Sequence, residues 1–71
     1  MEVLVFKTNI RYKKHIGTIQ PMLDKLEGLQ RWNVDLHDKD KILRVEANNI
    51  NAITIQKAVI QAGYMCEELE D

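Results

Sequence analysis

The sequence holds one cysteine, Cys66, one proline, Pro21, and three glycines among 71 residues. A single cysteine excludes an internal disulfide and fits a reducing compartment. Three scattered glycines build no phosphate cradle. Aromatic residues make up only 6% of the chain. Neither sign of charge dominates: ten Lys and Arg against eleven Asp and Glu leave a net −1. Bulk charge therefore predicts neither nucleic acid nor an anionic membrane as a partner. No apolar run is long enough to span a membrane. The opening, MEVLVFK, lacks the basic region of a signal peptide and runs straight into strand-like sequence. The expectation is a cytoplasmic protein.

What is present is ordinary for a small globular domain: 45% hydrophobic and 30% charged residues. A chain of this length buries only about 60% of its unfolded surface, so its core is small. Residues 1–71 leave no room for a second lobe, nor for a deep cleft between lobes.

The hydrophobic periodicity orders the chain. Residues 2–8 alternate as a strand, Val3 and Val5 on one side, Leu4 and Phe6 on the other. A basic stretch runs from Thr8 to Lys14. Ile16, Ile19, Leu23 and Leu26 then fall three and four apart, one stripe of a helix, with Gly28 as its C-terminal stop. Pro21 inside that helix cannot donate to the Gly17 carbonyl, which predicts a kink. Trp32, Val34 and Leu36 form the buried side of a second strand. The segment from Asp38 to Lys41 is a turn, and Leu43, Val45 and Ala47 make a third strand paired with the second. Asn51 is placed to cap a second helix, with Ile50 and Ile55 spaced as a hydrophobic staple. That helix ends near Ala62 and stops at Gly63. Tyr64 to Leu69 forms a short last strand, and Glu70 and Asp71 a frayed acidic end. The order βαββαβ predicts an α+β, ferredoxin-like sandwich: a four-stranded antiparallel sheet with both helices on one face. The expected core comprises Leu4, Phe6, Ile16, Ile19, Leu23, Leu26, Trp32, Val34, Leu36, Leu43, Val45, Ile55 and Val59.

Four segments carry a closer resemblance. They are Phe6 to Ile10, Leu23 to Gly28, Trp32 to Leu36, and Lys57 to Tyr64. With these, the whole chain resembles the heavy-metal-associated domain of copper chaperones and copper-transporting ATPases. That family holds Cu(I) through a Cys-x-x-Cys motif at the start of the first helix. Counting back from Leu26, its two cysteine positions fall here on Tyr12 and His15. The resemblance also places Ile10 where the family has a buried methionine, and Tyr64 where it has a lysine or aromatic near the metal.

Both thiolates are thus replaced. Cu(I) is soft and is held by thiolates. A phenol stays protonated at neutral pH, and one imidazole makes no chelate. Arg11, Lys13 and Lys14 add positive charge where a cation would sit. No resident cofactor is expected, and at most a weakly held metal ion at Tyr12 and His15.

The basic cluster admits three readings: docking of an acidic protein surface, an anion held at the helix N-terminus, or a solvated loop. The first gives Ile10, Arg11, Lys13, Lys14 and Tyr64 as the interaction surface, alongside Tyr12 and His15. His37 faces outward on its strand and has no ligand role. Cys66, Met22 and Met65 are gap-filling residues rather than ligands. Ile53 and Ile60 lie opposite the buried stripe of their helix and offer a second contact surface. Enzyme readings find no footing. There is no Ser-His-Asp or Cys-His set, no carboxylate pair in a cleft, and no glycine cradle around Arg11 for acylphosphatase-like chemistry. RNA binding would need aromatics on the first and third strands, which carry Val3, Val5, Ile42, Arg44 and Glu46 instead. The expectation is a non-catalytic accessory or protein-interaction module related to metal trafficking, a monomer or weak homodimer. The alternative is a divergent metal-binding or transport domain that uses His15 with Tyr12 or an outside ligand.

Overall fold

The computed structural model describes residues 2–69. The expected frayed end at Glu70 and Asp71 lies outside them. Six elements follow in the order βαββαβ: β1 Glu2–Thr8, α1 Lys13–Asp24, β2 Leu29–Asp35, β3 Ile42–Ala47, α2 Ala52–Gln61 and β4 Cys66–Glu68. All pairings are antiparallel and the sheet order is β2-β3-β1-β4. β1 and β3 thus lie in the middle of the sheet, and both helices cover one face. This is the ferredoxin-like sandwich that the hydrophobic pattern predicts.

The alternation along β1 is realised as expected: Phe6 is fully buried, whereas Val3 lies on the open face at 49% exposure. Phe6 joins Ile10, Ile19, Leu23, Leu43, Val45, Ala47, Ile55, Ala58, Val59 and Cys66 in one core. Six expected members, Leu4, Ile16, Leu26, Trp32, Val34 and Leu36, are only half-buried and pack against that core from its margin. The sheet order gives the reason for three of them. β2 is an edge strand, so Trp32 and Val34, and Leu36 just beyond its end, have a neighbouring strand on one side only.

One helix boundary and one cap differ from expectation. α1 ends at Asp24, with Lys25 as its C-cap, although the apolar stripe runs on to Leu26. The chain leaves through two tight turns, Leu26 N–H to the Leu23 carbonyl and Leu29 N–H to the Leu26 carbonyl. α1 runs unbroken through Pro21, which is exposed, as is Gly17. Asn51 does occupy the N-cap of α2, but its side chain makes no capping hydrogen bond. The Thr54 N–H is met instead by the Asn51 backbone carbonyl. At the other end the expectation holds: Gly63 takes φ +101°, and the Gly63 and Tyr64 N–H groups close back on the Ile60 and Val59 carbonyls. That is a Schellman cap, and it aims the chain into β4.

Gly28 is not the helix stop but a packing point. It sits at φ +93°, and a Cβ there would collide with the carbonyl oxygen of Asn48, whose N–H donates to the Gly28 carbonyl at 2.8 Å. Gly28→Ala is expected to cost about 2 kcal/mol or more, from the left-handed backbone and the displaced strand end. Gly17→Ala is the control. Nothing lies within 4 Å of its Cβ position, so it should stabilise α1 by about 0.5–1 kcal/mol. Urea denaturation of both variants tests the pair, and equal effects would refute the packing role.

Candidate docking loop at the start of the first helix

The loop between β1 and α1 is anchored from three directions. Thr8, buried at the end of β1, donates its hydroxyl to the Lys41 carbonyl and accepts the Ile10 N–H at 3.2 Å. Asn9 accepts the Met65 N–H on its Oδ1 at 2.9 Å, which ties the loop to the turn before β4. Ile10 is fully buried and fills the space beneath the loop. Its part in any docking is therefore to shape the surface, not to be touched. Thr8 and Asn9 carry much of the anchoring, and the sequence signal for them was slight: a short polar pair at the end of a strand.

Tyr12 is the N-cap of α1, and its carbonyl receives the His15 N–H at 2.9 Å. Its side chain caps nothing and is 58% exposed. His15, three residues into the helix, reaches back instead. Its Nδ1 accepts the backbone N–H of Arg11 at 3.2 Å. This repeats the reach-back half of a capping box, shifted by one residue. The imidazole also lies between two tyrosine rings, with centroids 5.2 Å from Tyr12, edge-on, and 5.0 Å from Tyr64, tilted. The structure thus brings Tyr12, His15 and Tyr64 together as an aromatic cluster. The Lys14 ammonium stands 5.7 Å from the centre of the Tyr12 ring, within cation–π range.

This geometry bears directly on metal binding. A neutral imidazole has one lone pair in its ring plane. In His15 that lone pair, on Nδ1, is spent on Arg11, which leaves the proton on Nε2. A metal would have to break this bond or displace that proton. Among the described residues, no group of three His, Cys, Asp or Glu side chains is placed to hold a metal ion. Cys66 lies in β4, buried, its Cα paired with Thr8.

Burial pushes the Cys66 thiol up from its ordinary 9.0 to about 12. At neutral pH it is protonated in both folded and unfolded chains and contributes no pH dependence. Above about 9 only the unfolded chain ionises, so this residue lowers stability as pH rises toward 12. A thiol-labelling reagent at pH 8 should modify native protein about 100-fold more slowly than urea-unfolded protein. Equal rates would contradict the buried placement.

Arg11, Lys13 and Lys14 are all exposed, and among the described residues none lies within ion-pair distance of a carboxylate. The first turn of α1 carries no acidic residue. The loop therefore presents three cations around one exposed phenol ring.

A two-helix, four-stranded sandwich with its candidate site at this loop defines a fold that copper-binding domains use. The chain matches the yeast copper transporter domain Ccc2a, solved in apo and Cu(I)-loaded states, with a TM-score of 0.85 at 20% identity, covering 100% of this chain and 99% of that one. The N-terminal domain of PacS from Synechocystis matches with a TM-score of 0.82 at 18% identity, over 99% of this chain and 100% of that one. The CopZ metallochaperone matches at 0.80 and 12% identity, over 92% and 98%. Ccc2a has also been solved in complex with Atx1 and Cu(I). At these identities the likeness is one of fold. No protein-family model matches the chain, and no curated protein is similar to it in sequence. Among the described residues, no helix is long and apolar enough to cross a membrane.

Proposed function

We propose that this chain is a non-catalytic protein-interaction module, built on the fold of metal-trafficking domains, that docks an acidic partner surface through Arg11, Lys13, Lys14 and Tyr12. The observation that carries the reading is the state of His15. The side chain at the second of the two motif positions is spent on organising the loop. Its Nδ1 accepts the Arg11 backbone N–H, and its ring packs edge-on with Tyr12 and tilted against Tyr64. The cations around it are left unneutralised. Ile10 and Tyr64 support the surface from below and beside it. A protein partner is also in keeping with the fold neighbours, since Ccc2a has been solved in complex with Atx1 and Cu(I). On this reading residues 1–71 act as one cytoplasmic domain without a resident cofactor.

The second reading, a metal-binding domain that uses His15 with Tyr12 or an outside ligand, draws on the copper-loaded fold neighbours. Titration with Cu(I) and with Zn(II), followed by amide shifts, separates the two. Shifts that saturate at His15 and Tyr12 at stoichiometric metal would favour the second reading.

The docking reading has its own test. The attraction is electrostatic, so association should weaken as salt rises from about 0.05 to 0.5 M and the Debye length drops well below roughly 10 Å. Lys13→Glu with Lys14→Glu should slow association more than it speeds release. A pull-down from the native cell extract, with wild type and double variant at both salt levels, reads this out. Recovery of the same partners by both proteins, regardless of salt, would leave the loop a solvated connection.

A further inference from the structure

The sheet ends in two free edges, β2 and β4. β4 is only three residues long, and a two-fold pairing of it with itself would set Glu67 against Glu67. β2 is longer, seven residues from Leu29 to Asp35. The registers decide which of its backbone groups lack a partner. The Leu69 N–H donates to the Val5 carbonyl at 2.8 Å. Val5 therefore turns its polar groups to β4, and Leu4 and Phe6 turn theirs to β3. Leu4 lies opposite Val45 and Phe6 opposite Leu43, so Arg44 between them turns the other way, to Asn33 of β2. Arg31, Asn33 and Asp35 thus face β3. The N–H and C=O groups of Trp32 and Val34 point out of the free edge, where they form a template for another strand.

The side chains alternate in step. Trp32 and Val34 are half-buried on the helix side, at the margin of the core. Arg31, Asn33 and Asp35 are exposed on the open face. Their charges are placed symmetrically about Asn33, a cation two residues before it and an anion two residues after.

That pattern is complementary to itself. In an antiparallel pairing of β2 with β2 of another copy, centred on Asn33, Trp32 lies opposite Val34 and the two exchange backbone hydrogen bonds on each side of the axis. Arg31 lies opposite Asp35, also twice. Each guanidinium then stands between that carboxylate and Glu46 of its own chain, already 3.8 Å away. The residue that meets its own copy on the axis is Asn33, an uncharged amide that both donates and accepts. Register is fixed by the same charges, because a pairing centred on Arg31 or on Asp35 opposes like to like. We propose that β2 is the contact surface for a second copy of the chain, paired antiparallel about a two-fold axis through Asn33, so that two sheets join into one. No residue of this strand belongs to the docking loop, so the proposal stands apart from the docking reading.

The contact is short and the dimer weak, so purified protein should be followed from about 20 μM to about 2 mM. The mass from sedimentation equilibrium should rise with concentration. The Trp32 and Val34 amides should exchange with solvent more slowly as it does, whereas those of Arg31, Asn33 and Asp35, which face β3, should not change. This exchange pattern needs no variant. Arg31→Asp and, separately, Asp35→Arg oppose like charges across the axis, and each should weaken self-association at least about tenfold. An equimolar mixture of the two variants should pair again as a heterodimer, because each strand then carries one sign of charge. A monomer at the highest concentration, slowed exchange at β4 in place of Trp32 and Val34, or a mixture no more associated than its folded components would each overturn the proposal.

Discussion

Leu23→Ala is expected to cost about 3–5 kcal/mol, a large share of the protein's whole stability. Leu23 is fully buried near the end of α1 and belongs to the core shared with Phe6 and Ile19. Truncation removes three carbons' worth of burial and leaves a cavity where α1 meets the sheet, and neither loss relaxes easily in a small core. The total stability of a 71-residue chain is roughly 4–10 kcal/mol. One such deletion thus consumes a large share of it. Leu26→Ala is the comparison. Leu26 continues the same stripe but lies past the helix end and is half-buried, so its loss should cost about 1–2 kcal/mol. Urea midpoints of the two variants decide the matter. Equal losses would mean that α1 reaches Leu26 in solution and that its end has been misplaced.

That contrast also marks how far the sequence could be read. Element order and sheet faces were legible because they rest on period-two and period-3.6 alternation, which survives in this chain almost without interruption. The end of α2 was legible too, because Gly63 is required at a left-handed C′ position and Tyr64 follows it. The end of α1 was not. Its stripe continues into a tight turn that keeps Leu26 on the same side, so periodicity alone cannot see the break. The burial of β2 was overstated for a different reason. Alternation reports which face a side chain takes, not whether another strand lies beyond it, and strand order decides that Trp32 and Val34 sit at an edge.

At the candidate site the family resemblance pointed to Tyr12 and His15, and the sequence showed the basic cluster of Arg11, Lys13 and Lys14 around them. It did not show how they are joined. Nothing in the spacing of Arg11 and His15 announces a backbone N–H to Nδ1 bond, since glutamate or glutamine is the usual residue for that reach. The contact between His15 and Tyr64 spans most of the chain and follows from the Schellman turn after α2, which delivers Tyr64 to the loop. The link from Asn9 to Met65 depends on the same turn. Long-range closure of this kind is fixed by topology, and no local pattern encodes it.

The loop's scaffold predicts a gain of function. Tyr12→Cys combined with His15→Cys should create a Cu(I) site, whereas the wild type should release Cu(I) completely to a modest thiol competitor. The wild type has one thiol in all, Cys66, buried and protonated at neutral pH, so it offers no thiolate pair. In the double variant two sulfurs would flank the first turn of α1 over a fully buried Ile10 and beside Tyr64. The helix N-terminus, Arg11, Lys13 and Lys14 would all favour thiolate over thiol, and the thiolate is the form that a soft cation prefers. The exchange has a cost. Removing His15 frees the Arg11 N–H and leaves the Tyr64 ring without its imidazole contact, so apo variant stability should fall by about 1 kcal/mol. Copper should restore it by mass action. The measurement is copper per chain after desalting in the presence of the competitor, together with thermal denaturation of the apo and loaded forms. One copper per variant chain and none in the wild type is the expected result. Retention by the wild type would overturn the reading of a module without a resident metal. A variant no better than wild type would show that the loop does not have the shape of a copper site.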